Sequence, residues 1–148
     1  DIVVDPFARN SKYALEWSND LNPSTDAKYH MNAVEFCEML VQKKVQADIV
    51  LFDPPYSPRQ MSECYKIINK KAGMADTQNA RLYKEVEDRL AIILKPNGQA
   101  VCFGWNSSGF GKTRGFAMIN ILLLAHGGAH NDTIMTVERK KRHIFSKD

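Results

Sequence analysis

Short apolar runs and longer amphipathic stretches alternate along this 148-residue chain. Residues 47–52 and 2–4 are rich in β-branched and aromatic side chains, which is typical of buried strands. Residues 33–43 and 82–94 carry apolar side chains three and four positions apart, which predicts two helices, the second ending before Pro96-Asn97-Gly98. Further strands are expected at residues 13–18, 99–103, 119–124 and 133–137.

This order of elements predicts an α/β fold built on a mostly parallel sheet. The last two expected strands are close together and are separated by Gly127-Gly128 and Asn131-Asp132, which predicts a C-terminal antiparallel hairpin. The pattern shows no internal repeat and no composition shift that would mark a domain boundary. We therefore expect residues 1–148 to form a single domain, long enough to bury about two-thirds of the surface of the unfolded chain.

Composition is that of an ordinary globular protein, with a formal net charge of only +3. The longest apolar stretch, residues 119–125, is too short to cross a membrane, and no signal-peptide pattern opens the chain, so a cytoplasmic location is expected. Cys37, Cys64 and Cys102 are odd in number and form no CxxC pair, which argues against a disulfide framework and against a zinc site. Cys37 and Cys102 lie in apolar runs and are expected in the core.

The sequence Asp53-Pro54-Pro55-Tyr56 directly follows the most convincing strand. The two prolines end that strand, because neither can donate to a ladder and the residue before a proline is disfavoured in helix. Open α/β sheets bind ligands at this end of their strands. A carboxylate, several carbonyls and an aromatic ring suit a flat molecule with an amino group. The alternative is a proline-rich loop in which Asp53 caps the next segment and Tyr56 packs inward.

Polar residues also follow the other early strands. Asp5-Pro6-Phe7-Ala8 ends the first strand, and Asp20 with Leu21 ends the second. Acidic residues at such positions bind the hydroxyls of a ribose, and the amide of Asn32, just before Ala33, suits the edge of an adenine. Each is weak evidence alone, because these residue types also form turns and helix caps.

Together these motifs resemble the amino-methyltransferases, S-adenosylmethionine-dependent enzymes that methylate an exocyclic nitrogen of adenine or cytosine in DNA. The resemblance spans nearly the whole chain and is strongest to small phage and prophage adenine-specific methylases. DPPY at 53–56 is similar to the catalytic motif of that family, and DPFA at 5–8 is similar to its first cofactor motif, usually DPFAGSG. The resemblance implies a Rossmann-like methyltransferase fold and S-adenosylmethionine as cofactor.

The resemblance also implies roles for individual residues. Cofactor contacts are expected from Asp5, Pro6, Phe7, Ala8, Asp20, Leu21, Asn32 and Ala33. In the catalytic turn, Asp53 and the Pro54 carbonyl would accept the two N–H groups of the target amine, with Pro55 keeping the turn rigid and Tyr56 stacking on the base. A base in duplex DNA reaches such a turn only when it is flipped out.

Three features depart from the pattern of that family. Arg9 and Asn10 stand where DPFAGSG has a glycine-containing turn. Only residues 6–13 separate the first two expected strands, fewer than a parallel crossover normally needs, so the helix between them is expected to be shortened or distorted. The additional N-terminal cofactor motif of the family has no counterpart, so the chain is expected to be incomplete at its N-terminus, or its cofactor pocket to be open.

Residues 57–79 are rich in Lys, Ser, Asn and Gly and are expected to form a mobile lid that orders on nucleic acid. Within this lid, Arg59, Lys66, Lys70 and Lys71 are the candidate DNA contacts, whereas residues 139–142 are expected to be a solvated tail. No separate target-recognition domain is expected within these 148 residues. Sequence choice would then come from short loops, from missing flanking sequence or from a partner subunit.

Two other chemistries are less well supported. Residues 106–113 nearly form a phosphate loop, but Asn106 replaces the first glycine, so a nucleotide hydrolase is a weak alternative and a position near the base pocket or the DNA backbone is preferred. His126 and His130 flank two glycines, which breaks the helix that a paired metal site would need, and no metal is expected. Two further alternatives are an RNA amino-methyltransferase, such as a ribosomal RNA enzyme, and a degenerate binding module without catalysis.

Overall fold

The computed structural model describes residues 1–55, 76–128 and 131–142, and of residues 76–79 only the backbone. The helices are α1, Ala33–Gln42, and α2, Asp76–Ile93, with a short 3-10 helix at Lys112–Arg114. The strands are β1 Val3–Asp5, β2 Trp17–Ser18, β3 Ala47–Phe52, β4 Leu94–Gly104, β5 Phe116–Leu124 and β6 Thr133–Lys140. No helix in these described segments is long and apolar enough to cross a membrane.

The strands form a single six-stranded sheet in the order β2-β1-β3-β4-β6-β5. Strands β2, β1, β3 and β4 run parallel to their neighbours, whereas β6 pairs antiparallel with both β4 and β5. The expected α/β class is confirmed, with its mostly parallel sheet and its antiparallel C-terminal hairpin. Because the carboxyl ends of parallel strands lie at one edge of a sheet, the segments after β1, β2 and β3 meet there.

The region between β1 and β3 differs from the expectation. Strand β2 covers only Trp17–Ser18, so most of the strand expected at residues 13–18 is absent. Tyr13 and Leu15 are 81% and 74% exposed, and so they contribute no apolar face that a longer strand could bury. Residues 6–16, all of which the structure describes, contain no helix. The expected distortion of this crossover is therefore confirmed, and the connection is made by turns.

The junction between α2 and β4 also differs. Helix α2 begins at Asp76 and ends at Ile93, and β4 begins at the next residue. Pro96-Asn97-Gly98 was expected to follow the helix as a terminator, but it lies inside β4. There the register against β3 jumps from Leu94 to Gln99 and Asn97 has a φ of +67°. The turn residues are accommodated as an irregularity within the strand, which periodicity alone does not reveal.

Helices α1 and α2 pack against each other and cover the centre of the sheet. The core combines apolar side chains from both helices and from the parallel strands: Phe36, Cys37, Leu40, Val50, Phe52, Val86, Leu90, Ile93, Ala100 and Cys102. Arg89 Nε of α2 donates to Glu38 Oε2 of α1 at 2.7 Å, which fixes the pairing of the helices. The expectation that Cys37 and Cys102 are core residues is confirmed, since both are free and buried. Burial raises the pKa of the Cys37 thiol to about 12.

Candidate active site

The turn after β3 is anchored to helix α2. Asp53, Pro54 and Pro55 follow the strand without regular structure, and Pro54 is buried. The Tyr83 hydroxyl of α2 donates to the Pro55 carbonyl at 2.6 Å. Arg9 Nη1, from the segment after β1, lies 3.3 Å from Asp53 Oδ2. The turn is therefore rigid on its α2 side and bears a charged contact on its β1 side.

A first cavity of about 350 Å³, here called the β1 cavity, opens at the carboxyl ends of β1 and β2. This volume lies within the range of small-molecule sites. Its walls are largely apolar, with a few amides, one carboxylate and one guanidinium. The lining residues include Pro6, Phe7, Arg9, Asn19, Asp20, Leu21, Met31, Asn32, Ala33, Pro55, Leu82 and Tyr83. Of the eight residues predicted to contact a cofactor, all but Asp5 and Ala8 line this cavity.

Asp5 and Ala8 hold the turn behind the cavity wall. Asp5 is 5% exposed, and its Oδ1 accepts from the Phe7 amide at 3.1 Å. Burial raises the pKa of the Asp5 carboxyl to about 7, with the Phe7 N–H opposing the shift. The buried Ala8 donates its amide to the Asn19 carbonyl at 2.8 Å. Within the DPFA segment, the second and third residues therefore line the cavity, while the first and last support them.

Asp20 and Asn32 line the cavity and also stabilise local structure. Asp20 Oδ2 accepts from the Arg9 amide at 3.0 Å, and its Oδ1 accepts from the Asn22 amide at 2.9 Å. Asn32 is the N-cap of α1, because its Oδ1 accepts from the Val34 amide at 2.9 Å. The turn-and-cap interpretation and the binding interpretation of these residues are therefore compatible.

Arg9 adopts a backbone conformation that usually favours glycine. Its φ is +50°, in the left-handed region. The glycine of the related DPFAGSG motif would meet no steric cost here, whereas arginine does. The turn nevertheless forms, because the Arg9 amide is bound by Asp20.

Asn19 is an important site residue that the sequence did not single out. Its side chain is 1% exposed and donates to the Pro6 carbonyl at 3.2 Å and to the Met31 carbonyl at 3.0 Å. Its Oδ1 accepts from the Met31 amide at 2.9 Å. One amide thus joins the DPFA turn to the segment before α1. In the sequence, a binding role was predicted for the adjacent acidic residue, Asp20. No sequence pattern indicates that Asn19 is buried.

A second cavity of about 560 Å³, here called the β4 cavity, lies beside the first, at the carboxyl ends of β3 and β4. It is lined by Phe52, Pro54, Pro55, Tyr83, Glu87, Cys102, Trp105 and the loop of residues 106–111, among others. Pro55 and Tyr83 belong to the walls of both cavities. The Asn106 loop and Trp105 thus line a cavity beside the DPPY turn, and whether this cavity receives a base stays a prediction.

Tyr83 separates the two cavities and was also missed. Its ring meets Phe7 and Phe52 edge-on, with centroids 6.1 and 6.2 Å apart. It follows Leu82, the first residue of the apolar stripe that predicts α2, and Tyr83 itself is not part of that stripe. Helical periodicity therefore did not mark it as a site residue. The hydrogen bond from its hydroxyl to the Pro55 carbonyl makes it the link between α2 and the turn after β3.

Charged side chains, one of them fully buried, support the wall of the β4 cavity. Glu138 of β6 is 1% exposed and accepts from the Phe110 amide at 2.5 Å and from the Gly111 amide at 2.9 Å. Glu87 pairs with Arg114, Oε2 to Nη1, at 2.9 Å. Burial raises the pKa of Glu87 to about 7, although Arg114 opposes the shift. The Asn106 loop is therefore held by a carboxylate 27 to 28 residues away in the chain.

Several predicted residues lie outside the described part of the chain. Tyr56, His130 and the candidate nucleic-acid contacts Arg59, Lys66, Lys70 and Lys71 belong to this group. The predicted lid, residues 57–79, lies outside it except for residues 76–79, which already belong to α2. His126 Nε2 lies 2.8 Å from Thr133 Oγ1, a turn contact as expected. The described residues contain no group of three side chains that could hold a metal ion.

These features define a Rossmann-like methyltransferase fold, and comparison with known proteins supports that assignment. The chain is similar to TrmN from Thermus thermophilus (16% identity, TM-score 0.58, 93% of this chain and 43% of that one). It is also similar to M1.HpyAVI in complex with SAM (18%, 0.53, 77% and 52%) and to the putative methyltransferase yhhF from Escherichia coli (13%, 0.54, 94% and 75%).

The chain belongs to the family described as Conserved hypothetical protein 95, whose model matches residues 8–102. No curated protein sequence matches the chain. The chain spans about half the length of the solved structures that it matches first. At these identities the structural likeness establishes the fold and leaves the substrate to be inferred from the site.

Proposed function

We propose that this chain is an S-adenosylmethionine-dependent methyltransferase acting on the exocyclic amine of a nucleic-acid base. The finer proposal, carried by the resemblance of DPPY to its family motif, is methylation of adenine N6 in DNA. The observation that carries the reaction class is the pair of cavities that share Pro55 and Tyr83 at the catalytic turn. A group-transfer enzyme needs two ligands to meet at one point, and these two cavities do.

The β1 cavity fits S-adenosylmethionine in chemistry. Apolar walls from Phe7, Met31 and Leu82 suit an adenine ring, and the Asn32 side chain is an amide at the cavity wall. Asp20 supplies a carboxylate for the ribose hydroxyls. The similar structure of M1.HpyAVI is a complex with SAM. When bound, the cofactor supplies an electrophilic methyl group on a sulfonium.

The chain's own residues would position the acceptor amine. Its lone pair is conjugated with the base, so it is a weak nucleophile. Hydrogen bonds from its two N–H groups to Asp53 and to the Pro54 carbonyl favour a more tetrahedral nitrogen and direct its lone pair toward the methyl group. In the proposed reaction the nitrogen would gain a bond to the methyl carbon as the carbon–sulfur bond breaks and a neutral thioether leaves, and the nitrogen would give up one proton, for which Asp53 is the acceptor.

The β4 cavity would receive the base. Trp105 and Phe103 on its wall are aromatic partners for stacking, and its volume of about 560 Å³ accommodates a flipped nucleotide. Tyr56, expected to stack on the base, lies outside the described residues. The nucleic-acid substrate, DNA or RNA, is likewise proposed, as is any partner subunit that helps to select the target sequence.

A tritiated methyl-transfer assay on unmethylated DNA and on RNA tests the function. Wild type should label one of them, DNA by the finer proposal, and Asp53→Ala should lower the rate at least about 100-fold because it removes one of the two acceptors. Asp26→Ala, which removes an exposed carboxylate from a turn, is the matched control and should retain full rate.

Full activity in Asp53→Ala would refute the catalytic role. Labelling of RNA alone would replace DNA as the substrate. A folded wild-type chain that binds no S-adenosylmethionine in calorimetry would instead favour the binding module without catalysis.

A further inference from the structure

The wall of the β1 cavity carries few charged side chains, and these differ in how firmly they are held. Among the described residues that line it, Arg9 carries the only cationic side chain and Asp20 the only carboxylate. Asp20 is fixed by two backbone N–H groups. The Arg9 side chain is 61% exposed, and its contact with Asp53 measures 3.3 Å. The cavity therefore has one fixed anion and one loosely held cation.

S-adenosylmethionine carries a sulfonium, an α-ammonium and an α-carboxylate, and the carboxylate is its one anionic group. Its ribose can meet Asp20, and its adenine can meet Asn32. Its amino-acid end bears an α-carboxylate, for which a guanidinium is a well-matched donor, because two parallel N–H groups meet two oxygens. Arg9 is the described residue on this wall that can supply such a donor.

The Arg9 side chain can adopt a second position at a small cost in free energy. Its backbone is held by the bond from its amide to Asp20, so the start of the side chain is fixed. Its guanidinium is bound to Asp53 through an exposed ion pair, which contributes little free energy because water screens it. Moving the guanidinium therefore requires rotamer changes and no change of the turn.

We propose that Arg9 binds the α-carboxylate of S-adenosylmethionine, and that this contact replaces its ion pair with Asp53. The inference rests on the proposed function. It makes Arg9 a positioning residue that links the two cavities: cofactor binding withdraws a cation from the catalytic carboxylate. It also keeps the guanidinium beside an anion, where its repulsion of the sulfonium is offset. Base binding at Asp53 is then strongest after the cofactor has bound.

Calorimetry with two ligands isolates this contact without measuring activity. S-adenosylmethionine and its decarboxylated analogue differ only in the α-carboxylate. The Arg9→Gln variant should bind S-adenosylmethionine about 10-fold or more weakly than wild type, because a charge-assisted pair is lost. Its affinity for the decarboxylated analogue should equal that of wild type. Lys12→Gln removes an exposed cation from the same loop and should leave both affinities unchanged.

The exchange with Asp53 has its own test. In Asp53→Asn the guanidinium no longer has a charged competitor, so S-adenosylmethionine should bind up to about fivefold more tightly. The decarboxylated analogue should bind as it does to wild type. Arg9→Gly, which suits the φ of +50° at this position, provides a second charge-free variant whose folding is not in question.

The outcomes separate the inference from the function on which it rests. Equal losses for both ligands in Arg9→Gln and Arg9→Gly, or no loss for either, would overturn the carboxylate contact while leaving the cofactor site intact. Unchanged or weaker binding of S-adenosylmethionine to Asp53→Asn would overturn the exchange. A folded wild-type protein that binds neither ligand would overturn the proposed function, and this inference with it.

Discussion

The two cavities that meet at the DPPY turn are built in different ways. The turns on the β1 and β2 side of the β1 cavity are held by hydrogen bonds between near neighbours in sequence: Asp20 to Arg9 spans 11 residues, and Asn19 to Met31 spans 12, although the Tyr83 contact with Pro55 spans 28. The β4 cavity depends on distant pairs, since Glu138 reaches Phe110 across 28 residues. The β1 cavity is shaped mainly by consecutive turns, whereas the β4 cavity forms only when the C-terminal hairpin has paired with β4.

This difference has an energetic counterpart. Asn19, backbone groups and the partly exposed carboxylate of Asp20 hold the β1 cavity together, with Asp5 as a buried carboxyl behind its wall. The β4 cavity has two carboxyl groups, Glu87 and Glu138, near Arg114. Buried charges raise the cost of removing any one partner, because the other groups are then left unsatisfied. The loop wall of the β4 cavity should therefore be the more easily broken of the two by a single substitution.

The largest expected effect comes from removing Glu138. Glu138→Ala leaves the amides of Phe110 and Gly111 buried without an acceptor, and we expect it to lower the free energy of unfolding by about 3 to 5 kcal/mol. Urea denaturation monitored by fluorescence measures this. Where the variant is still folded, S-adenosylmethionine affinity should change by no more than about twofold, because Glu138 lies outside the β1 cavity wall.

Glu138→Gln is the matched control for that substitution. It keeps one acceptor oxygen and the volume of the side chain, so it should lose clearly less stability than Glu138→Ala. Equal loss in the two variants would mean that packing, and not the two N–H bonds, explains the role of Glu138. A large loss of cofactor affinity in either variant would show that the two cavities are coupled.

The same difference explains how much could be predicted from the sequence. The sheet, both helices and the hairpin were predictable, because apolar periodicity reports which faces are buried. Six of the eight predicted cofactor residues line the β1 cavity, because that site is made of strand ends and turn residues that are visible locally. Asn19 and Tyr83 were missed, since burial of a single amide or ring depends on neighbours that periodicity does not identify.

The residue that supports the β4 cavity, Glu138, could not be predicted from the sequence, for a further reason. Glu138 lies one residue beyond the strand predicted to end at residue 137 and directly before residues 139–142, which were expected to be a solvated tail. Strand β6 in fact continues to Lys140, and Glu138 lies on the same face of it as the buried Thr136, two residues earlier. The additional strand residues pair with β4, which is distant in sequence, and so no local pattern indicates them.

The next largest effect is a pH dependence that Asp5 gives to the β1 cavity. Burial raises the pKa of Asp5 to about 7 in the folded chain, above its usual value of 3.8. The folded state therefore holds a proton that the unfolded state releases between these values, so stability falls as pH rises from about 4 to about 7. Asp5 alone should account for about 4 kcal/mol of this fall, of which roughly 2 to 3 kcal/mol lies between pH 5 and pH 8.

Denaturation of wild type and Asp5→Asn at pH 5 and pH 8 measures that contribution. The variant cannot ionise, so its stability relative to wild type should rise between the two pH values. Some fall should persist in the variant, because the pKa of Glu87 is also raised to about 7. Asp26→Asn, at an exposed turn, should follow the wild-type profile. Parallel profiles for wild type and Asp5→Asn would show that Asp5 ionises normally in the folded chain.

The smallest and most selective effect concerns the fit of Gly109 against Glu138. Gly109 has a φ of +56°, and a Cβ built on it would overlap the Glu138 carboxylate. Gly115 also has a positive φ, +85°, but a Cβ there meets nothing within 4 Å. Both Gly→Ala variants carry a backbone cost of about 1 kcal/mol.

The difference between the two alanine variants isolates the overlap. Glu138 cannot yield cheaply, because it is buried and already bound to two amides, so Gly109→Ala should cost about 1 to 3 kcal/mol more than Gly115→Ala in urea denaturation. In the double variant Gly109→Ala/Glu138→Ala the overlap is gone, and the two losses should sum to less than their separate values. Simple additivity of the two losses in stability would show that Gly109 and Glu138 are not in contact. The distinction between the two cavities, which depends on the Glu138 contact, would then fail.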